Sequence, residues 1–248
     1  MPTNRYLPSM KLTIGVDFDN TIACYDTAFS MVARELGLID VPTTLSKAEV
    51  KENILARSGG DLIWQKLQGQ VYGKYIHLAQ LFPGFMEFLC RTKLNGHSVF
   101  IISHKSEYGH FDNTEVNLRD AALGWMTGNG IIGTGAFALL NSNVFFESTR
   151  AAKISRILGL GCTHFIDDLQ VILQDPLLPD NLEKILFDPH CSASLEGGHT
   201  VETSWQMLTS NLFGASYGDK SYRVMPTQLT GKAVSENYNP APENNQSI

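Results

Sequence analysis

Leu12-Thr13-Ile14-Gly15-Val16-Asp17-Phe18-Asp19-Asn20-Thr21 is an apolar, β-branched run that ends in two acids one residue apart. Side chains at i and i+2 of a strand share a face. Asp17 and Asp19 therefore emerge together where the strand stops. In open parallel sheets, ligands bind at the carboxyl ends of the strands. Two acids placed there can hold a hard cation such as Mg²⁺. One can also act as a nucleophile while the other handles protons. Capping of a following helix or turn is the competing role for the pair.

Outward from this run, the chain alternates strand and helix patterns. Helices are expected over 25–36, 46–57 and 61–81, with Ser46 and Glu49 forming a capping box. Phe85 to Leu94 repeats apolar residues at helical spacing, and Val99-Phe100-Ile101-Ile102-Ser103 reads as a second strand. Further helices are expected over 113–126, 149–158 (capped by Ser148) and 205–212. Further strands are expected over 143–147, 163–166 and 184–187. This alternation implies a parallel sheet with right-handed crossovers. The segment from Gly128 to Gly135 lacks the strand-turn-helix context of a dinucleotide fingerprint. Ser235 to Ile248, rich in Asn, Pro, Glu and Ser, reads as the disordered end of a 214–248 tail.

Composition narrows the function classes. The 248 residues are 43% hydrophobic, enough for a sizeable core, and the net charge of −6 argues against a broad nucleic-acid surface. Cys24, Cys90, Cys162 and Cys191 are scattered without a CxxC pair, as expected of reduced thiols in a cytoplasmic protein. Neither a signal peptide nor a stretch of membrane-spanning length is apparent.

Four features then recur in a fixed order: Asp17-x-Asp19-x-Thr21 after one strand, Ser103 ending a second, Lys153 within a helix, and Asp167-Asp168 ending a further strand. On these residues the chain resembles the haloacid dehalogenase-like (HAD) superfamily. The Leu81-Phe82-Pro83-Gly84 turn and the break at Gly96 add to the likeness, which covers roughly 11–212. The resemblance implies an α/β, three-layer Rossmannoid parallel sheet of order 5-4-1-2-3 with a small helical cap. The core would be 11–24 and 82–213, and the cap 25–81.

The resemblance also implies a chemistry. Asp17 would be the nucleophile and Asp19 the acid and base. Ser103 and Lys153 would hold phosphoryl oxygens, with Asp168 and Thr21 in support. Mg²⁺ would be bound by Asp17, Asp167 and the main-chain carbonyl of Asp19. A second acid at Asp19 fits phosphate esters better than dehalogenation. Many members carry a further acid just after the fourth motif, where this chain has Leu169 to Leu173. The expected activity is phosphatase action on a small phosphorylated metabolite. A non-catalytic phospho-ligand or partner-binding module, and a phosphotransferase with an acceptor other than water, are the alternatives.

Several roles stay open at the level of sequence. Lys105 rivals Lys153 as the phosphate contact, and a loop or N-cap hydroxyl is the competing role for Ser103. His104 and His110 are either loop histidines or substrate contacts. Trp64, Tyr72 and Tyr75 either pack the helical segment or face substrate.

Overall fold

The computed structural model describes residues 11–40, 42–111, 115–192 and 198–214. β1 (Thr13–Val16) leads to a short strand β2 (Ala23–Cys24), then to α1 (Asp26–Glu35), α2 (Lys47–Leu55) and α3 (Gly60–Tyr72). β3 (Gln80–Leu81) pairs antiparallel with β2 and closes this helical segment. There follow α4 (Phe85–Leu94), β4 (Ser98–His104), α5 (Leu118–Gly128), β5 (Val144–Glu147), α6 (Arg150–Gly159) and β6 (His164–Asp167). α7 (Gln170–Leu173), β7 (Glu183–Phe187), β8 (Thr200–Glu202) and α8 (Trp205–Phe213) complete the described chain.

Six strands form one sheet in the order β5-β4-β1-β6-β7-β8, and every pairing in it is parallel. The expected order 5-4-1-2-3 accounts for five of these positions. The sixth strand, β8, adds itself outside β7 and was not foreseen. Thr200-Val201-Glu202 is too short and too mixed in polarity for strand periodicity to mark it.

A parallel sheet buried on both faces reads as continuous apolar runs, and alternate residues here do enter different cores. Ile14, Val16, Ile101, Ile166 and Phe187 pack on one side with α4, α5 and α8. Ile102, Phe165 and Leu186 pack on the other with Ile154 and Ile157 of α6. Gly15 separates the two: a methyl group on it would lie 2.7 Å from the Phe165 ring. Phe18 turns away from the two acids beside it and packs edge-on against Trp125, with ring centroids 5.6 Å apart.

The helical segment has its own apolar interior. Phe29 of α1 stacks on Trp64 of α3 at 5.0 Å, and Tyr25 meets Tyr72 edge-on at 4.8 Å. The Ser46 capping box starts α2 as expected. The helix expected over 61–81 is shorter. It ends at Tyr72 with Gly73 as its C-cap, and a single 3-10 turn, Ile76–Leu78, leads into β3. In the segment that follows, the Ala79 carbonyl accepts the Trp125 indole N–H at 3.1 Å.

Two caps differ from expectation. Thr149, not Ser148, caps α6 by accepting from the Ala152 amide. Asn117 caps α5, so that helix starts later than the pattern suggested. Residues 113 and 114 of the expected helix, and the tail beyond Gly214, lie outside the described residues. All four thiols are free. No helix among the described residues is long and apolar enough to cross a membrane.

Candidate active site

Sheet register brings the motifs together. Val16 is opposite Ile101 on one side and Ile166 on the other. The ends of β1, β4 and β6 therefore lie at one edge of the sheet: Asp17 just past β1, Ser103 and His104 closing β4, and Asp167 closing β6 with Asp168 after it. The Asp17 amide donates to the Ile166 carbonyl at 2.9 Å, which fixes the end of β1 against β6.

Beyond Asp17 the backbone makes a tight turn. The amides of Ile22 and Ala23 both donate to the Phe18 carbonyl, and Asn20 adopts a left-handed φ of 60°. Asparagine enters that region more readily than most residues. Its side-chain amide then donates to Asp168 Oδ2 at 3.2 Å, joining the first motif to the fourth. Sequence reasoning gave Asn20 no role, although an asparagine just after a strand-terminal acid is a turn signal. Thr21 is wholly buried, its hydroxyl has no partner among the described residues, and its carbonyl accepts from the Trp205 indole at 2.9 Å.

Oxygens of Asp17, Asp167 and Asp168 lie within 4.8 Å of one another. Lys153 reaches this group from α6. Its ammonium lies 2.6 Å from Asp17 Oδ1 and 2.6 Å from Asp167 Oδ2. The other oxygen of Asp167 accepts the Leu169 amide at 2.8 Å. Lys153 is only 1% exposed and shares the buried face of α6 with Ile154 and Ile157.

Lys105, its sequence-level rival, goes elsewhere. Its ammonium pairs with Asp19 Oδ2 at 2.9 Å and lies over the Tyr72 ring at 4.7 Å. The Asp19 carboxylate is thus outside the three-acid group, and Asp168, expected only in support, is inside it. Ser103 is 1% exposed and its hydroxyl has no partner among the described residues. Arg119, which sequence reasoning missed, ties the loop after β4 to the start of α6. It donates to the Lys105 carbonyl at 3.0 Å and to Ser148 Oγ at 2.7 Å. His104 and His110 both line a cavity beside Asp19.

Negative charge exceeds positive charge here. Burial is the main force raising the Asp17 carboxyl well above 3.8, and Lys153 opposes it only in part. One ammonium serves two carboxylates, and Asp167, Asp168 and Asp19 repel further charge. Burial, then Asp167, pushes Asp168 up to about 7. Lys153 moves the opposite way to an isolated buried lysine, upward, because Asp167 and Asp17 outweigh its burial.

Three hard oxygen donors with uncompensated charge suit a divalent cation. The sign of the pH effect follows. The folded chain holds these two protons more tightly than the unfolded chain, whose aspartates titrate near 3.8. This contribution to stability is complete below about pH 4 and is lost as pH rises, through about 7 for Asp168. Metal-free protein is therefore expected to lose melting temperature between pH 5 and pH 8. Asp168→Asn should flatten that loss, and Mg²⁺ should raise the midpoint more at pH 8 than at pH 5. Calorimetric scans with the same Mg²⁺ increment at both pH values would contradict this.

Neither a family model nor a curated protein matches the sequence. Solved structures do resemble it. A haloacid dehalogenase-like family hydrolase from Xanthomonas campestris is 10% identical, with a TM-score of 0.46 over 82% of this chain and 94% of that one. The HAD-hydrolase YfnB of Bacillus subtilis, solved with magnesium, is 10% identical, with a TM-score of 0.47 over 82% and 98%. A HAD phosphatase from Thermococcus onnurineus is 13% identical, with a TM-score of 0.42 over 83% and 99%. The chain's own architecture is the expected α/β, Rossmannoid parallel sheet with a helical segment after its first strand.

Proposed function

We propose that the chain is a Mg²⁺-dependent phosphatase that hydrolyses a small phosphorylated metabolite. The observation that carries this reading is the three-acid group of Asp17, Asp167 and Asp168, bridged by a buried lysine. The partnerless hydroxyl of Ser103 supports it, since a buried polar atom left unsatisfied is costly unless a ligand completes it.

Asp17, Asp167 and Asp168 would hold the cation, with the main-chain carbonyl of Asp19. When bound, it supplies positive charge that offsets the repulsion between the Asp17 carboxylate and an anionic phosphate ester. In the first step an Asp17 oxygen bonds to phosphorus. The bond from phosphorus to the ester oxygen breaks, and Asp19 gives that oxygen a proton. In the second step water bonds to phosphorus and gives a proton to Asp19. The bond from phosphorus to Asp17 breaks, releasing phosphate and restoring both carboxyl groups. Ser103 Oγ donates a hydrogen bond to a phosphoryl oxygen, and Lys153 offsets the charge that spreads over the others.

Lys105 belongs to the proton-handling side. It holds Asp19 at the mouth of the site, which leaves Lys153 as the lysine at the phosphoryl group.

Phosphate release from p-nitrophenyl phosphate and from a panel of metabolite esters tests this reading. Release is expected with Mg²⁺, is lost on chelation, and returns when Mg²⁺ is restored in excess. Metal-independent release, or none from any ester, would refute it.

A further inference from the structure

A cavity of about 260 Å³ opens beside Asp19, between α3 and the loop that follows β4. One face of α3 contributes Gln65, Gln68 and Tyr72, at the i, i+3, i+7 spacing of a helical stripe. The end of β4 contributes His104, and the loop after it Lys105 and Ser106. A larger cavity, about 520 Å³, opens on the far side of Asn20 and Asp168, with Lys47 and Lys51 in its wall. Asp19 does not line that one. A leaving oxygen that takes its proton from Asp19 therefore belongs to the smaller cavity.

The carboxylate and the ammonium in its lining, Asp19 and Lys105, are paired with each other at 2.9 Å. The lining also holds the imidazoles of His104, whose Nε2 lies 3.2 Å from the Ser148 carbonyl, and His110. Among the described residues, a second anionic group on the substrate would find no ammonium in this lining other than Lys105, which is held against Asp19. Hydrocarbon is also poorly served, since among the described residues Leu118 is the only aliphatic side chain in the wall.

The wall does carry neutral hydrogen-bonding capacity. Gln65 and Gln68 are half-buried, and neither side-chain amide has a hydrogen-bond partner among the described residues. Each amide offers two donors and a carbonyl acceptor, which matches a hydroxyl that both donates and accepts.

Building on the phosphatase reading, we propose that the group joined to the phosphoryl is a small, uncharged polyol or sugar, and that Gln65 and Gln68 recognise its hydroxyls. The cavity is smaller than the roughly 300–1,000 Å³ typical of drug-sized ligands, which suits a group no larger than a hexose. The substrate is then a polyol or sugar monophosphate. A bisphosphate or a phosphorylated carboxylic acid would be a poor substrate.

The test uses the Mg²⁺-loaded protein and three kinds of ester. These are glycerol 3-phosphate, erythrose 4-phosphate and glucose 6-phosphate; then fructose 1,6-bisphosphate and phosphoglycolate; then p-nitrophenyl phosphate, whose leaving group has no hydroxyls to read. At least one neutral polyol ester is expected to exceed both anionic esters in kcat/KM by about tenfold or more. In the Gln65→Leu, Gln68→Leu double variant, the ratio of kcat/KM for that ester to that for p-nitrophenyl phosphate should fall by about tenfold, as for the loss of one or two neutral hydrogen bonds. An anionic ester as the preferred substrate, or an unchanged ratio in the variant, overturns this inference and leaves the phosphatase reading standing. Failure of every ester, p-nitrophenyl phosphate included, overturns both. The wild-type comparison decides the matter even where the double variant does not fold.

Discussion

Replacing Asp17 by asparagine is expected to lower phosphate release by about 10⁴-fold or more while the fold persists, a barrier increase of roughly 5 kcal/mol or more. Asparagine keeps the shape of the side chain, and its amide lacks the nucleophilic charge of a carboxylate. In enzymes that react through a covalent intermediate, loss of the nucleophile alone costs up to about 10⁶. The structural side of this prediction has its own sign. Asp17 is only 5% exposed and its carboxyl is raised well above 3.8 by burial, so its charge is unfavourable in the metal-free fold. Removing that charge also removes one of the two partners of Lys153. The melting temperature without metal is therefore expected to stay close to wild type, and the extra stability conferred by Mg²⁺ should shrink. Phosphate release within tenfold of wild type would refute Asp17 as nucleophile. A collapsed melting transition would move its role to the fold.

Much of this arrangement was legible because it rests on strand ends. The run from Leu12 to Asp19 carries its own geometry: alternation places the two acids on one side, and β-branched residues mark the strand. Parallel pairing then brings Ser103 and Asp167 to the same edge.

What stayed illegible depends on distances between side chains far apart in sequence. Lys153 and Lys105 look alike as letters. Only packing reveals that one lies among Asp17, Asp167 and Phe165, and the other beneath Tyr72 and against Asp19. Lys153 did leave a trace, since it falls on the same helical stripe as Ile154 and Ile157. A lysine on such a stripe is usually solvated along its stem, so the trace alone could not decide. Asn20 and Arg119 were missed for a similar reason. Their parts are played through Asp168 and through the Lys105 carbonyl, which no local pattern connects to them. β8 reflects tertiary context overriding weak local preference, whereas the early end of α3 follows a local signal, the glycine at position 73 that caps it.

Lys153→Met is expected to destabilise the metal-free protein by about 3–5 kcal/mol near neutral pH, the cost of leaving buried charge without its partner. For a chain of this size that corresponds to a fall of roughly 10 °C in melting temperature. Methionine is unbranched and flexible, so it fills most of the volume of the lysine stem. The loss would therefore come from charge and not from a cavity. Two conditions should then relieve it. Mg²⁺ brings positive charge to the same carboxylates and stabilises the folded state that binds it. Lower pH protonates Asp17 and Asp168, whose carboxyls are already raised in the wild type. Phosphate release should fall by about 10²–10³-fold even with saturating Mg²⁺, the scale seen when one preorganised donor to a transition-state charge is removed. If the variant melts equally far below wild type with and without Mg²⁺, and at pH 5 as at pH 8, packing of the stem against Phe165 is the cause. The ammonium would then not be the counter-charge that Asp17 and Asp167 require, because a charge defect must respond to added charge and a packing defect does not.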